Sequence, residues 1–388
     1  MWKTYKLSEI GTVVGGATPS TSVSSYYGGD IPWLTPKDLS NFQDRYIEKG
    51  ERNITQEGLD SCSAQLLPAN TVLFSSRAPI GYVAIAKNPI ATNQGFKSII
   101  PNEKVDSLFL YYILKYNKDR IEAMGSGTTF KEVSGAVMKN VEISLPGLEE
   151  QRRIAGILGA IDDKIENNRR INENLEQQAQ ALYKQWFVDN RSDDWKEIKL
   201  SDILEIHKKT ITPSQTPNTI FEHYSLPAFD DGRNPTYESG DKIKSSKFVI
   251  EDDMFLFSKL NPRIKRLWLP YIQTENAICS TEFVAYKPKD ISMLAFCYSV
   301  VDSVEFYDFV LSLTNGSTGS HQRFHPIDTL EYSLKVPHME VIKEFNAIVS
   351  HMYEQISKNI IENRNLATLR DTLLPKMMNG ELNIDGVR

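Results

Sequence analysis

The residue types that usually carry catalysis form no recognisable motif in this sequence. It has no Gly-x-x-x-x-Gly-Lys-Ser/Thr phosphate loop, no His-Glu-x-x-His, no Gly-x-Ser-x-Gly and no Asn/Asp-Pro-Pro-Tyr/Phe tetrapeptide. Residues 125–130 begin like a kinase glycine loop but lack its third glycine and follow a predicted helix. The side chains best suited to chemistry are basic, because four of the eight residues at 259–266 are lysine or arginine. Such a loop favours contact with phosphates or base edges over catalysis.

The three cysteines, Cys62, Cys279 and Cys297, are isolated, and none has a cysteine or histidine at metal-ligand spacing. We therefore expect no structural zinc site, and unpaired thiols are typical of a reducing cytosol. The N-terminus lacks an apolar leader, and the most apolar stretch, residues 293–301, is far shorter than the ~18–20 residues that span a bilayer. The sequence predicts a cytoplasmic protein with no bound metal and no membrane contact.

Composition and charge limit the possible classes of protein. The 388 residues are 40% hydrophobic and 24% charged, which excludes a disordered chain and favours two or three globular domains. The net charge of −6 by itself argues against a nucleic-acid binder, whose contact surface is usually basic. Bases and acids nearly balance over residues 1–147, and acids exceed bases over 191–338, so any anion-binding surface must be local.

The sequence repeats itself once. Residues 2–10 return as 195–203, and residues 67–75 (LPANTVLFS) parallel residues 250–258 (IEDDMFLFS). Each copy combines short β-branched and aromatic runs with turn residues and one late helical stretch. Each copy therefore predicts an α+β globule large enough to bury its own core.

A long helix is predicted at the end of each copy. Its apolar residues recur in alternating steps of four and three, which is typical of a coiled-coil helix. Asparagine occupies the same two central steps of both helices, at Asn168 and Asn172 and at Asn359 and Asn363. Buried asparagine costs stability but fixes register, so these positions predict pairing across an antiparallel seam. The predicted seam comprises Ile154, Leu158, Ile161, Ile165, Asn168, Asn172, Leu175, Ala179, Leu182 and Trp186, with Phe345, Val349, Met352, Ile356, Asn359, Asn363, Leu366, Arg370, Leu373 and Met377.

The predicted fold class is α+β, with two similar globular domains separated by two long antiparallel coiled-coil helices and a pseudo-twofold internal repeat. We place the first globular domain at residues 1–147 and the first helix at 148–190. The second globular domain follows at 191–338, and the second helix with a C-terminal tail at 339–388. Glu149 in the first turn of the first helix complements the helix dipole.

Three segments resemble one known family. Residues 145–158 (LPGLEEQRRIAGIL), 161–165 (IDDKI) and 373–382 (LLPKMMNGEL) are similar to the DNA-specificity (S) subunits of Type I restriction–modification enzymes. The resemblance covers essentially the whole chain, although the second helix start, after Pro337, lacks the Glu-Gln-Arg core.

The resemblance implies that this chain is one subunit of a complex whose subunits have different roles. Each globule would be a target recognition domain that reads one half of a split site in double-stranded DNA. The helices would set the spacer and dock two modification (methyltransferase) subunits, which restriction/translocase subunits join. The chain itself would catalyse nothing and hold no cofactor, with S-adenosylmethionine, ATP and Mg²⁺ bound only by partner subunits.

Under this resemblance, loop residues at the edge of each domain are the candidates for DNA contact, because Arg, Lys, Asn, Gln, Ser and Thr side chains read the major groove. In the first domain these are Ser75, Ser76, Arg77, Asn93, Gln94, Thr128, Thr129 and Lys131. In the second they are Lys259, Asn261, Arg263, Lys265, Arg266, Ser317, Thr318, Ser320, His321, Gln322 and Arg323. Lys208 and Lys209 are candidates for phosphate contact.

Two other functions stay open at this point. One is a helical scaffold whose globular domains bind a partner other than DNA, and the other is a self-contained nuclease or methyltransferase with unrecognised motifs. Charge reversal in the basic loop distinguishes the scaffold from a DNA reader, and S-adenosylmethionine binding by the chain would support the enzyme. Because neither domain is strongly basic, we expect weak DNA binding by the isolated chain.

Overall fold

The computed structural model describes residues 2–77, 79–127, 131–314 and 322–382. Residue contacts divide the chain into two compact units. The first unit contains the chain up to Asn168 together with the residues from Glu362 onward, and the second contains Arg169–Ile361. Each unit therefore combines one globular part with a segment of each long helix, whereas the sequence was divided into four consecutive segments.

Short helices belong to the globular parts, and two long helices follow them. Helix α3 illustrates why they form where they do, because Asp106 accepts hydrogen bonds from the first free backbone amides, Leu108 N and Phe109 N, at 3.0 Å each. The α-helices are α1 (Leu7–Ile10), α2 (Gln56–Asp60), α3 (Ser107–Tyr116), α4 (Lys118–Ala123), α5 (Gly135–Lys139), α6 (Leu148–Tyr183), α7 (Leu226–Asp230), α8 (Leu294–Asp302), α9 (Val304–Ser312) and α10 (Met339–Met378). Single 3₁₀ turns span Ser24–Tyr26, Pro36–Leu39, Leu200–Asp202, Pro213–Gln215, Gly240–Lys242, Ile291–Met293 and Pro326–Glu331, and Lys184–Asp189 is π-helical.

The globular part of the first unit is built on short strands. These are β1 (Lys3–Lys6), β2 (Gly11–Gly15), β3 (Tyr27–Leu34), β4 (Tyr46–Ile47), β5 (Arg52–Ile54), β6 (Val72–Phe74), β7 (Val83–Ala86), β8 (Ala91–Thr92), β9 (Lys97–Pro101) and β10 (Glu142–Leu145). One sheet has the order β2-β9-β6-β7-β4 and another the order β5-β3-β8, while β1 pairs with β10. Fully buried Phe74, Ile99 and Phe109 join the first sheet to α3 in one core.

The globular part of the second unit has a similar set of strands. These are β11 (Lys196–Lys199), β12 (Leu204–His207), β13 (Thr210–Ile211), β14 (Ile220–Tyr224), β15 (Thr236–Ser239), β16 (Lys247–Val249), β17 (Phe255–Ser258), β18 (Leu267–Trp268), β19 (Ala277–Ser280), β20 (Phe283–Pro288) and β21 (Ser333–Val336). One sheet has the order β12-β20-β17-β18 and the other β13-β16-β19-β14-β15, while β11 pairs with β21.

The two units share one topology. The order β2-β9-β6-β7 in the first corresponds to β12-β20-β17-β18 in the second, and β5-β3-β8 corresponds to β15-β14-β19. The correspondence extends to direction, because β3 runs parallel to β8 as β14 does to β19. The second unit adds β16 and β13 beyond β19. The predicted α+β class and the internal repeat are therefore confirmed.

The segments of α6 and α10 pair antiparallel within each unit. In the first unit, Asn168 Nδ2 donates to Asn363 Oδ1 at 2.9 Å and to Glu362 Oε2 at 2.7 Å. In the second unit, Asn359 Nδ2 donates to Asn172 Oδ1 at 2.8 Å. Every residue of the predicted seam is buried or half-buried, so the heptad pattern located the contact face of both helices.

Buried polar contacts fasten each globular part to its helix segments. In the first unit, Arg45 is 4% exposed, its backbone N and side-chain Nε lie 2.9 and 3.0 Å from Glu166 Oε1, and its guanidinium also contacts Asp163. Tyr112 donates to Asp162 Oδ2 at 2.6 Å. In the second unit, the backbone N of Phe296 on α8 donates to Asn346 Oδ1 on α10 at 2.9 Å. The globular part and the helix segments of a unit thus share one packed interior.

The cysteines are free, and Cys279 and Cys297 are buried. Burial raises the pKa of both thiols above the ordinary value. Within the described residues, no three His, Cys, Asp or Glu side chains are grouped as metal ligands would be. None of the helices in the described part of the chain combines the length and apolarity needed to cross a bilayer.

Candidate nucleic-acid interface

Three segments of the first unit meet beyond the ends of β6 and β9. They are the loop that follows β6, the turn that precedes β9, and the segment that follows the glycine-containing loop at residues 125–129. Ser76 N donates to Gly95 O at 2.7 Å, and Val133 N donates to Ser76 O at 2.9 Å. An isolated β-bridge also pairs Arg77 with Glu132. We call this meeting point the first loop junction.

Ser75 and Ser76 hold the first loop junction together and do not face outward. Both are fully buried. Ser75 Oγ donates to Pro79 O and accepts from Tyr82 N, each at 2.8 Å, while Ser76 Oγ donates to Gly95 O at 3.2 Å. The prediction that these two hydroxyls contact DNA is therefore corrected, because the backbone pairing of β6 continues past its last apolar residue.

The carboxylate of Glu132 holds the Arg77 side chain at the surface of the first loop junction. Its Nε lies 3.0 Å from Glu132 Oε2, with the arginine side chain 46% exposed and the glutamate 31% exposed. Lys97 Nζ approaches the other oxygen, Glu132 Oε1, at 3.4 Å and is itself only 14% exposed. One carboxylate thus holds two cations at different depths.

The remaining candidates of the first unit have different surroundings. Asn93 Oδ1 accepts from Gly95 N at 2.8 Å, so this side chain shapes the turn. Gly95 is required there, since a Cβ would lie 2.7 Å from the ring of Pro36. Gln94 and Lys131 are exposed, and Gln94 accepts a hydrogen bond from Thr18. Thr128 and Thr129 lie outside the described residues.

The second unit has an equivalent junction. Lys259 N donates to Glu282 O, and Asn261 N donates to Gln322 O, each at 2.9 Å. An isolated bridge pairs Leu260 with Arg323, as Arg77 pairs with Glu132 in the first unit. Asn261 adopts a left-handed φ of 49°, which turns the basic loop immediately after β17. We call this meeting point the second loop junction.

Half of the basic cluster at residues 259–266 is neutralised by acids. Lys265 Nζ lies 2.6 Å from Asp302 Oδ1, and Arg266 binds Asp230 through two contacts of 2.7 and 2.9 Å. The Arg266 side chain is 12% exposed. Both side chains fasten the loop to neighbouring elements, and their contact with DNA stays a prediction. Arg263 is exposed, and Lys259 and Asn261 are half-buried at the second loop junction.

Arg323 is held in the same way as Arg77. Its Nε and Nη2 lie 3.1 and 3.2 Å from the two oxygens of Glu282, and this contact raises the pKa of the guanidinium. The arginine side chain is 46% exposed. Gln322 is half-buried beside it. Ser317, Thr318, Ser320 and His321 lie outside the described residues.

Lys208 and Lys209 are exposed between β12 and β13. No sequence motif marks the acids that orient the basic side chains, which are Glu132, Glu282, Asp230 and Asp302. For Glu282 a signal was available, because residues 278–283 (ICSTEF) parallel residues 90–96 (IATNQGF) with one deletion, which aligns Glu282 with the turn around Gln94 and Gly95. For Asp230 and Asp302 the contact joins distant segments, which sequence spacing does not reveal.

Comparison with known proteins places the chain in one family. A family model described as the type I restriction modification DNA specificity domain matches residues 1–177. The chain is 34% identical to the type I restriction enzyme MjaIX specificity subunit of Methanocaldococcus jannaschii, with 99% of this chain and 94% of that protein covered. It is 30% identical to the EcoR124I/EcoR124II specificity subunit of Escherichia coli, over 48% of this chain and 46% of that protein.

A solved structure has the same fold. The S subunit of a Type-I restriction-modification system from M. genitalium matches with a TM-score of 0.60 and 18% identity, and the match covers 97% of this chain and 96% of that one. Since a relative above 30% identity spans nearly the whole sequence, this chain belongs to the family of type I restriction enzyme specificity subunits.

Proposed function

We propose that each unit reads one half of a bipartite target in double-stranded DNA. The observation that carries this proposal is the recurrence of one loop junction in both units. Each junction lies at the ends of equivalent strands and presents exposed basic side chains, Arg77 and Lys131 in one and Arg263 and Arg323 in the other. A surface repeated in this way suits a target with two separately read parts.

The two long helices would set the spacer between the half-sites and dock two methyltransferase subunits, to which restriction/translocase subunits are added. The antiparallel pairing and the polar layers within each unit support a fixed register. Gln151, in the Glu-Gln-Arg segment at the start of α6, has a structural role. It is 1% exposed, and its Nε2 donates to Lys104 O and Pro146 O at 3.0 Å each. Exposed Arg152 is the residue of this helix start that we assign to a partner subunit.

The chain itself would act without catalysis in the cytoplasm, where its DNA target lies. S-adenosylmethionine, ATP and Mg²⁺ would be bound by the partner subunits. The acidic total charge of −6 fits this division, because phosphate contacts supply much of the affinity of DNA-binding proteins. We infer that the partners provide many of these contacts, while the specificity subunit provides base choice. Membership in the family does not favour a scaffold that binds something other than DNA.

Charge reversal in the second loop junction tests the proposal. The variant Lys259→Glu with Arg263→Glu leaves the ion pairs of Lys265 and Arg266 intact. We expect this variant to lose methylation at sites of the wild-type bipartite motif, because two cations near the DNA become anions. The measurement is methylome sequencing of the host that carries the chain, with the wild-type or the variant sequence in place.

A matched control is Lys242→Glu with Lys244→Glu, which reverses two lysines of the same unit near β16. These positions are exposed and lie outside the junction, so the methylated motif should be unchanged. Full wild-type methylation by the junction variant would rule out a DNA-contacting role for this loop and would return the scaffold to consideration.

A further inference from the structure

An arginine held by a glutamate occurs at the loop junction of both units. Arg77 Nε lies 3.0 Å from Glu132, and Arg323 contacts both oxygens of Glu282 at 3.1 and 3.2 Å. Exposure agrees closely, since each arginine side chain is 46% exposed and the glutamates are 31% and 29% exposed. The two units thus present the same chemical group to solvent in the same surroundings.

The two pairs reach this arrangement from different chain positions. In the first unit the arginine follows β6 and the glutamate follows the glycine-containing loop. In the second unit Arg323 occupies the position that corresponds to Glu132, because its bridge partner Leu260 corresponds to Arg77. Its glutamate comes instead from the turn before β20. A pair kept only from a common ancestor would occupy matching positions in both copies.

Folding stability gives little reason for either pair. Exposed ion pairs are screened by solvent and stabilise a fold only weakly, and the backbone bridges of each junction already fix the loops. The recurrence of the pair on two different sets of residues therefore points to the group that the pair presents, which is an oriented guanidinium.

The geometry of the pairs leaves the recognition edge of the guanidinium available. The carboxylate engages Nε in both units, and in the second unit also Nη2. A guanidinium has five N–H donors in a planar fork, so the terminal Nη1 and Nη2 edge still has a donor on each nitrogen. Two parallel donors match the O6 and N7 acceptors of guanine in the major groove.

We propose that Arg77 and Arg323 each read a guanine, one in each half of the DNA target. Glu132 and Glu282 are positioning residues that hold the plane of each guanidinium before DNA arrives. This assignment rests on the proposed function, and it adds which residues select a base and which base they select.

The test is methylome sequencing of the host with the full chain replaced by single variants. Arg77→Gln is expected to lower the preference for guanine at one position of one half-site by roughly 5- to 150-fold, and to leave the other half-site unchanged. Arg323→Gln should do the same in the other half-site. Glu132→Gln and Glu282→Gln should weaken the preference at the same base as their arginine, which a merely structural role would not do. Arg52→Gln, an exposed arginine on β5, is the matched control and should leave the motif unchanged.

Three results would overturn the assignment. One is an unchanged motif in both arginine variants. Another is a uniform loss of methylation with base preferences retained, which would indicate phosphate contacts. The third is a wild-type chain that supports no bipartite motif, in which case the proposed function fails as well. If Arg77→Gln abolishes methylation, the variant Arg77→Lys tests the assignment instead. A reduced guanine preference with methylation retained supports the assignment, and an unchanged guanine preference refutes it.

Discussion

At the scale of single residues, the candidate side chains lie in the segments that meet at the loop junctions. Their residue types did not reveal what each side chain contacts there. Ser75 and Ser76 belong to the junction but are buried there, and the equivalent Ser258 is 1% exposed. A serine repeated at one position of both copies was therefore a sign of a shared backbone arrangement. Hydroxyls that bond to backbone carbonyls and hydroxyls that bond to bases look identical in a sequence. The hydrogen-bond partner distinguishes the two cases, and here Ser75 Oγ donates to Pro79 O and Ser76 Oγ donates to Gly95 O.

Arg45 was not singled out by the sequence, although it is the most deeply buried cation of the first unit's described residues. It follows no motif, and its partners on α6 lie more than a hundred residues later. Glu166, which is 7% exposed, accepts from both the backbone and the side chain of Arg45. This contact fastens the globular part to the helix.

Replacing Arg45 with Met should therefore destabilise the first unit. The change leaves the buried carboxylate of Glu166 without its guanidinium, and we expect the free energy of unfolding to fall by about 3 kcal/mol. Urea denaturation of the full chain measures this difference. Adding Glu166→Leu should restore much of the loss, because the unpaired charge is removed. The exposed Arg52→Met serves as control, and a similar midpoint for Arg45→Met and this control would contradict the prediction.

At the scale of elements, local periodicity sufficed for the helices but not for the sheets. The alternating four- and three-residue spacing identified the seam of α6 and α10, because the contact face of a helix is set by its own sequence. The parallel pairing of β3 with β8 joins strands more than 50 residues apart in the chain, and no local pattern encodes it. The repeat in the sequence nevertheless accompanies a shared pairing, because the order β2-β9-β6-β7 of the first copy recurs as β12-β20-β17-β18 in the second.

The contribution of the asparagine layers to the free energy of unfolding can be measured. Asn168→Leu removes the donor for Asn363 Oδ1, so we expect a loss of about 1 kcal/mol in the free energy of unfolding. The double variant Asn168→Leu with Asn363→Leu should be more stable than the single variant, since two leucines pack in the seam without an unpaired amide. Thermal unfolding of the full chain measures both. If the double variant is no more stable than the single one, the two asparagines are not energetically coupled.

At the scale of the whole molecule, the chain is divided differently in space and in sequence. The internal repeat predicted two globular parts of similar size, and the structure has them. The repeat did not predict that each compact unit also includes a part of each long helix. That assignment depends on packing between distant segments, such as Trp2 Nε1 donating to Glu150 Oε1 at 3.2 Å and the same indole lying against Gly380.

Helix length offers a test of the proposed spacer. Duplicating residues 167–173 in α6 and residues 358–364 in α10 adds one heptad to each helix, or about 10 Å. All contacts between helix segments and globular parts retain their residues. If the helices set the spacer, methylome sequencing should find half-sites moved apart by about 3 base pairs, at ~3.4 Å each.

The matched control is the same duplication in α6 alone. It makes α6 one heptad longer than its partner helix, so the helix segments of only one unit can keep their register and methylation should be lost. An unchanged spacer in the variant with both insertions would refute the role of the helices in spacing.

The division of α6 between Asn168 and Arg169, and of α10 between Ile361 and Glu362, has a consequence for how new specificities arise. A genetic crossover at the edge of a globular part would separate Arg45 from Glu166, or Phe296 from Asn346, and leave buried polar groups without partners. A crossover near the middle of a helix exchanges the globular part together with the helix residues that it packs against. Under the proposed function, recombination within the helices would therefore transfer a DNA-reading part together with the helix residues that pair with its buried polar groups.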